Sequence, residues 1–252
     1  TMSFSDRIMI LDSLSGSGLN VYRSFDGVSS GTVDRIYKAI GNYENEGYSV
    51  GFVMIDLYSG ASVSYGMDNY FYSASTIKGP YVMSLLKYKP WLLNSWGDAL
   101  YNTINVSSNE AYAELRNNLG ASTLDWFVDW THAWGFDYSS HYVWYTPRQL
   151  CKLWVGMADY LMGNEQDAWW ARDVYGNNIA IYSRQELAWK GVPIYAKSGW
   201  VNGSTNVHNE GYLVMDGDHP YVCVIMSNEI WQNNWKMRAL MSAIDAAHGE
   251  LV

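Results

Sequence analysis

Residues 49–79 read SVGFVMIDLYSGASVSYGMDNYFYSASTIKG, and their order decides the fold. The apolar run over 49–57 predicts a strand. Tyr58-Ser59-Gly60 is a turn, and 61–65 returns as a second strand, which makes a hairpin. The run FYSASTIKGP, residues 71–80, then gives way to a helix over 75–88. Its apolar side includes Ile77, Val82, Leu85 and Leu86. Gly79-Pro80 falls near the first turn, where proline is tolerated, and Pro90 marks the end.

Upstream, residues 32–43 carry Val33, Ile36, Tyr37 and Ile40 at a helical period. Residues 1–30 are Ser/Gly-rich and weakly patterned, and they read as an N-terminal extension. Downstream lies a helix-rich middle over 91–189, with helices expected over 109–119, 122–134 and 147–161. Thr146-Pro147 is a helix start with proline at the first position. Strands resume at 194–197, 211–215 and 221–226, the last two linked by the turn Asp216-Gly217-Asp218. A helix over 235–248 closes the chain. Both chain ends thus feed one antiparallel sheet around an inserted helical block, an α+β arrangement. The expected domain is residues 31–252, with an α/β lobe over 31–74 and 190–252 and a helical lobe over 75–189.

The 252 residues allow one large domain or two lobes sharing a core, and a hydrophobic content of 48% argues against disorder. The net charge of -9 argues against nucleic acid or an anionic membrane as partner. No apolar run reaches the roughly 20 residues needed to span a bilayer. No signal-like segment stands at Thr1-Met2-Ser3, which reads as a trimmed start and carries no weight on location. Cys151 sits in a helical pattern and Cys223 in a strand pattern, so both read as free buried thiols. The five histidines form no pair at metal-ligating spacing, and no metal or cofactor is expected. The 13 Trp and 21 Tyr suit stacking on sugars or peptides, or filling the core; the core reading is preferred.

Three polar elements stand out. Ser75-x-x-Lys78 opens a helix after the hairpin. Residues three apart share a helix face, so the amine can reach the hydroxyl. A serine needs such a base to become a nucleophile, and partial desolvation lowers a lysine's pKa enough to serve. The helix N-terminus favours developing negative charge. Ser-x-x-Lys occurs about once by chance in a chain of this size; the second copy, Ser84/Lys87, lies mid-helix and reads as a solvated face. Ser107-Ser108-Asn109 precedes the helix over 109–119, where Ser and Asn also suit a helix cap. Ser204-Thr205-Asn206 is a decoy of the same form. Lys197-Ser198-Gly199 ends a strand, where a glycine permits close backbone approach and an edge strand could pair with an extended substrate; the plain alternative is a surface lysine at a bulge.

In order, these three elements resemble the Ser-x-x-Lys, Ser-x-Asn and Lys-Thr-Gly set of penicillin-binding proteins and class A β-lactamases. The flanking sequence is similar too: the approach to Ser75, SSNEAYAELRNNLG, YTPRQLCKLW and GVPIYAKSGW each look like their family counterparts. The resemblance spans about residues 32–248. It implies the β-lactamase/transpeptidase-like fold, with Ser75 acylated, Lys78 as its base and Ser107 passing a proton to the leaving nitrogen. It further implies that Asn109 binds the acyl-amide side chain, that Lys197 and Ser198 hold the substrate carboxylate, with Gly199 beside them, and that the N–H groups of Ser75 and Trp200 form an oxyanion hole. Expected partners are β-lactams or peptidoglycan stem peptides, and the expected location is extracellular or the cell envelope. Two departures follow. The interval between Ser75 and Ser107 looks shortened. The omega-loop counterpart, HAWGFDYSSHYVWYTP, lacks the glutamate that positions the deacylating water in class A enzymes. Asp137 is its one carboxylate, read as a turn cap or a substitute base. The expected activity is therefore a penicillin-recognising serine hydrolase with slow deacylation. The alternatives are a D-alanyl-D-alanine carboxypeptidase/transpeptidase and a non-catalytic cell-wall-binding module.

Overall fold

A computed structural model of the chain describes residues 2–22 and 27–252. In chain order the elements are α1 (Phe4–Ser13), β1 (Leu19–Tyr22), α2 (Ser30–Glu44), β2 (Val50–Asp56), β3 (Ser62–Tyr65), β4 (Phe71–Tyr72), a 3-10 turn (Ala74–Ile77) and α3 (Lys78–Tyr88). Then come α4 (Leu92–Asn105), α5 (Asn109–Leu119), α6 (Ser122–Trp130), β5 (Trp144–Tyr145), α7 (Pro147–Met162), α8 (Ala168–Asn177) and α9 (Tyr182–Glu186). β6 (Ile194–Val201), β7 (Val207–Val214), β8 (Tyr221–Ser227) and α10 (Trp235–Leu251) complete the fold.

The main sheet has the order β1-β3-β2-β8-β7-β6 and is antiparallel throughout. The α+β expectation holds, as do the strands from both chain ends. β2 shows why. Its alternate residues face opposite sides of the sheet. Phe52 and Met54 join a core with α2 and α10, while Val53 and Ile55 join the core of the helical side. A strand buried on both faces has no polar alternation, which is the pattern of 49–57. α7 crosses the helical face. Its start is fixed by Pro147 at the first turn and by a reciprocal cap between Thr146 and Gln149. Its Trp154 indole lies against the backbone of Gly211 in β7, where any Cβ would collide.

Residues 2–22 depart from the sequence reading of 1–30 as an extension; residues 1 and 23–26 lie outside the described residues. α1 is capped by Ser3 and packs into the helical core through Ile8, Ile10 and Leu11. Arg7 donates to the Leu57 carbonyl at 2.8 Å and pairs with Asp159 at 2.7 Å. β1 pairs with β3 as an edge strand of the main sheet. The Ser/Gly-rich composition hid these elements because long-range partners hold them. Cys151 and Cys223 are free and buried, as expected. The aromatics divide. Eight tyrosines, Tyr43, Tyr81, Tyr112, Tyr145, Tyr160, Tyr175, Tyr212 and Tyr221, are fully buried, whereas Trp154 alone among the tryptophans ranks with them; Trp91, Trp126, Trp134, Trp144 and Trp189 are exposed. Among the described residues, no helix is long and apolar enough to cross a membrane.

Asp56 ties the two ends of the chain together. Fully buried at the end of β2, its carboxylate meets His248 Nε2 of α10 at 2.9 Å and accepts the Ser59 N–H at 2.6 Å and the Tyr58 N–H at 3.1 Å. Burial pushes this carboxyl up, but the hydrogen bonds from His248 and Ser59 outweigh it and hold it at about 2. The folded-state pKa lies below the unfolded one. The stabilisation is therefore complete above pH 4 and disappears as pH falls toward 2. Asp56→Asn is expected to cost about 2 kcal/mol at pH 7 and progressively less below pH 4. Urea unfolding of both proteins at pH 7 and pH 3 checks this; a deficit that does not shrink on acidification would remove the charge from the explanation.

Candidate active site

The serine of the first motif stands in the 3-10 turn between β4 and α3, one step earlier than a simple helix start. Ala74 takes φ +44°, a conformation that costs a non-glycine residue energy and is held only by its surroundings. Those surroundings come from the segment before α7. The Ser73 N–H donates to Val143 O at 2.7 Å, and the Val143 N–H returns to Ser73 Oγ at 3.1 Å. Thr76 Oγ1 meets Tyr145 OH at 2.6 Å. From the sheet, Asn209 Nδ2 donates to Tyr72 O at 2.9 Å. Ser75 is therefore clamped from two sides while its own side chain borders an open cleft of about 470 Å³.

Lys78 is fully buried, and its amine turns to the second motif. Nζ donates to the Ser107 carbonyl at 2.7 Å and to Asn109 Oδ1 at 2.7 Å, and lies 3.4 Å from Ser107 Oγ. The direct Ser75–Lys78 hydrogen bond expected from the i, i+3 spacing is not formed. Among the described residues, Ser75 Oγ has no hydrogen-bond partner. The amine is instead taken by the Ser107 carbonyl, just before α5, and by Asn109 at its start.

The helix-cap reading of the second motif is resolved by a division of labour. Ser108 is the cap, accepting the Ala111 N–H at 3.0 Å. Ser107 precedes it at φ +56°, so its hydroxyl is free to face the cleft. Asn109 Oδ1 also accepts from Tyr142 OH at 3.0 Å.

β6 brings the third motif. It is the free edge of the main sheet, as expected. Lys197 Nζ donates to Ser107 Oγ at 3.0 Å and to Ser198 O at 2.6 Å. Gly199 lies against the Ser75 turn. A Cβ there would stand 2.6 Å from both the Ser75 and the Thr76 nitrogens, so no other residue lets the strand come this close. Gly79 plays the same part on α3, where a Cβ would come to 3.3 Å from Lys197 Cβ. Ser198, Gly199 and Trp200 line the cleft with Ser75, Ser107 and Asn109. Trp200 stacks on Trp231 with ring centroids 4.5 Å apart. The decoys stay apart. Ser84 donates to Tyr81 O within α3. Ser204, Thr205 and Asn206 line a different cleft.

Two amines buried this closely cannot both hold a proton cheaply. Burial pulls Lys78 down to about 8 against a small opposing pull from Glu110. Burial, then repulsion from Lys78, takes Lys197 to about 7. The Ser107 hydroxyl thus sits between two bases of near-neutral pKa. Asp137 is bound up in a turn, accepting the Ser139 N–H at 2.8 Å and its hydroxyl at 3.0 Å. Those bonds lower its pKa and fit the turn-cap reading.

Sequence reasoning missed Ser73, Tyr142, Tyr145 and Asn209. None belongs to a motif. Their only signal was position beside one, and their contacts are long-range.

A family model described as the beta-lactamase enzyme family matches residues 87–247, well over half of the chain. The chain belongs to this family. The matched segment contains Ser107, Asn109 and Lys197; Ser75 and Lys78 lie before it. Solved structures share the fold. A beta-lactamase from Sphaerobacter thermophilus superposes with a TM-score of 0.72 at 15% identity, covering 89% of this chain and 98% of that one. PBP-A gives 0.71 at 16% identity, covering 88% and 96%. A class A beta-lactamase from Mycobacterium abscessus gives 0.68 at 17%, covering 86% and 99%. No curated protein matches the sequence.

Gly199→Ala should destabilise the protein by about 1–3 kcal/mol through overpacking against the Ser75 turn. Gly203→Ala, with nothing within 4 Å of its Cβ, should stay within about 0.5 kcal/mol of the parent. Thermal unfolding of the pair decides; equal shifts would mean that β6 has room to move.

Proposed function

We propose that this chain is a penicillin-recognising serine hydrolase that forms an acyl-enzyme on Ser75 with β-lactams or D-Ala-D-Ala-like amides. The observation that carries the reading is the Ser107 hydroxyl lying between the Lys78 and Lys197 amines, on the wall of the cleft that Ser75 borders. Ser75 Oγ attacks the carbonyl carbon, and its proton passes to neutral Lys78. The backbone N–H groups of Ser75 and Trp200 receive the developing oxyanion, a contribution of about 3 kcal/mol per donor in comparable sites. The C–N bond then breaks. The departing nitrogen takes a proton from Ser107, which regains one from Lys78. Asn109 orients the acyl-amide side chain. Lys197 and Ser198 hold the substrate carboxylate, and its arrival favours the charged form of Lys197.

Deacylation is proposed to be slow. The segment over 132–147 has a single carboxylate, Asp137, and that group is committed to its turn. A mutant of PBP-A, a structural neighbour, was solved as an acyl-enzyme complex with penicillin-G. The same gap favours a second reading, a D-alanyl-D-alanine carboxypeptidase or transpeptidase, because the free edge of β6 suits an extended stem peptide. An extracellular or cell-envelope location goes with both readings.

Intact-mass measurement after mixing with a fluorescent penicillin tests this. A lasting adduct on Ser75 is expected. Rapid loss of the adduct with product release would point to efficient β-lactamase turnover, and no adduct at all to a non-catalytic wall-binding protein. Lys78→Ala should abolish labelling and leave the fold intact. The acylation rate constant should follow a bell-shaped pH profile. Its rising limb should fall at about 7 to 8, as the first proton leaves the lysine pair, and the decline should follow loss of the second. A rate that stays at its maximum as pH falls below that interval would sink the lysine base.

A further inference from the structure

We propose that the cleft between the β4–β5 ribbon and the β6–β7 turn binds a neutral saccharide, separately from the acylation cleft. This cleft has a volume of about 510 Å³. Its lining includes Asn69, Tyr70 and Trp144, together with Thr205, Asn206 and Asn228.

Three observations point to this ligand. First, none of the lining side chains carries a formal charge, although the chain as a whole has a net charge of -9. An ionic ligand would find no counter-charge here. Second, two amides are already oriented. Asn228 Oδ1 accepts the Ser49 N–H at 2.7 Å, and Asn206 Oδ1 accepts the Gly203 N–H at 3.0 Å. Each amide thereby fixes its oxygen on the protein and leaves its Nδ2 donors uncommitted among the described residues. Hydroxyl-rich ligands pair with such donors, whereas a purely apolar ligand would strand them. Third, the aromatics are presented rather than buried. Trp144 is 52% and Tyr70 59% exposed. Trp144 is braced from behind by Tyr72, with centroids 5.7 Å apart. A rigid, half-exposed aromatic ring beside free amides suits a pyranose, which has an apolar C–H face and a polar rim.

The β6–β7 hairpin is a wall of both clefts. Val201 and Asn202 border the acylation cleft, and Ser204 to Val207 border this one. The two sites share a wall but no lining residue, so saccharide binding does not require Ser75 to react.

The test is isothermal titration of the full chain with chitotetraose, a neutral N-acetylglucosamine tetramer. Saturable binding is expected. Trp144→Ala and Tyr70→Ala should each weaken it about tenfold, and Ser75→Ala should leave it unchanged. Both aromatic variants alter exposed side chains, and circular dichroism confirms their folding; should one unfold, the other decides. Absence of saturable heat overturns the proposal. So does binding that survives both aromatic substitutions, and so does binding lost on Ser75→Ala, which would place the sugar in the acylation cleft.

Discussion

The burial of two lysine amines around one serine hydroxyl organises this protein's polar centre. Desolvating an ammonium is costly, and burying a second beside it adds repulsion. The structure offsets this with nearby oxygens. Lys78 is held by the Ser107 carbonyl and Asn109 Oδ1, and Lys197 by Ser107 Oγ and Ser198 O. These contacts join α3, the α5 entrance and β6, three elements distant in the chain. The constraint also has a chemical result. A pair that releases a proton near neutrality is poised to accept one from a serine hydroxyl.

Close backbone approach is the second requirement. β6 must lie against the Ser75 turn for its lysine to reach Ser107. Gly199 and Gly79 remove the two Cβ atoms that would hold the surfaces apart. The strained Ala74 backbone is then over-determined from behind by Ser73, Thr76 and the 143–145 segment. Rigid neighbours on both sides leave Ser75 as the part of the turn that faces open space.

The segment before α7 is rich in aromatic side chains. Its one carboxylate, Asp137, is bound in a turn. Tyr142 reaches Asn109 and packs on Tyr72, which in turn packs on Trp144, and Arg116 lies 3.9 Å from the Tyr138 ring centre. Tyrosines whose pKa values burial has raised stay neutral at pH 7 and act as props. The segment supports the turn that carries Ser75.

Much of the architecture was legible in local sequence. The doubly buried β2, the β3 return, α5 and the Thr146-Pro147 start of α7 all follow from periodicity and capping, which act over a few residues. So did the identity of the three motifs, since each needs particular side chains at fixed spacing. Residues 1–22 were not legible, because Arg7 and β1 are held by partners 50 or more residues away or across the sheet. The direction of Lys78 was not legible either. Spacing suggested Ser75 as its partner, but the choice among acceptors depended on where α5 came to rest. Sequence alone determined which groups exist and which local elements carry them. Tertiary structure decided which groups meet, because hydrogen bonds and desolvation act over a few ångströms in space, whatever the separation along the chain.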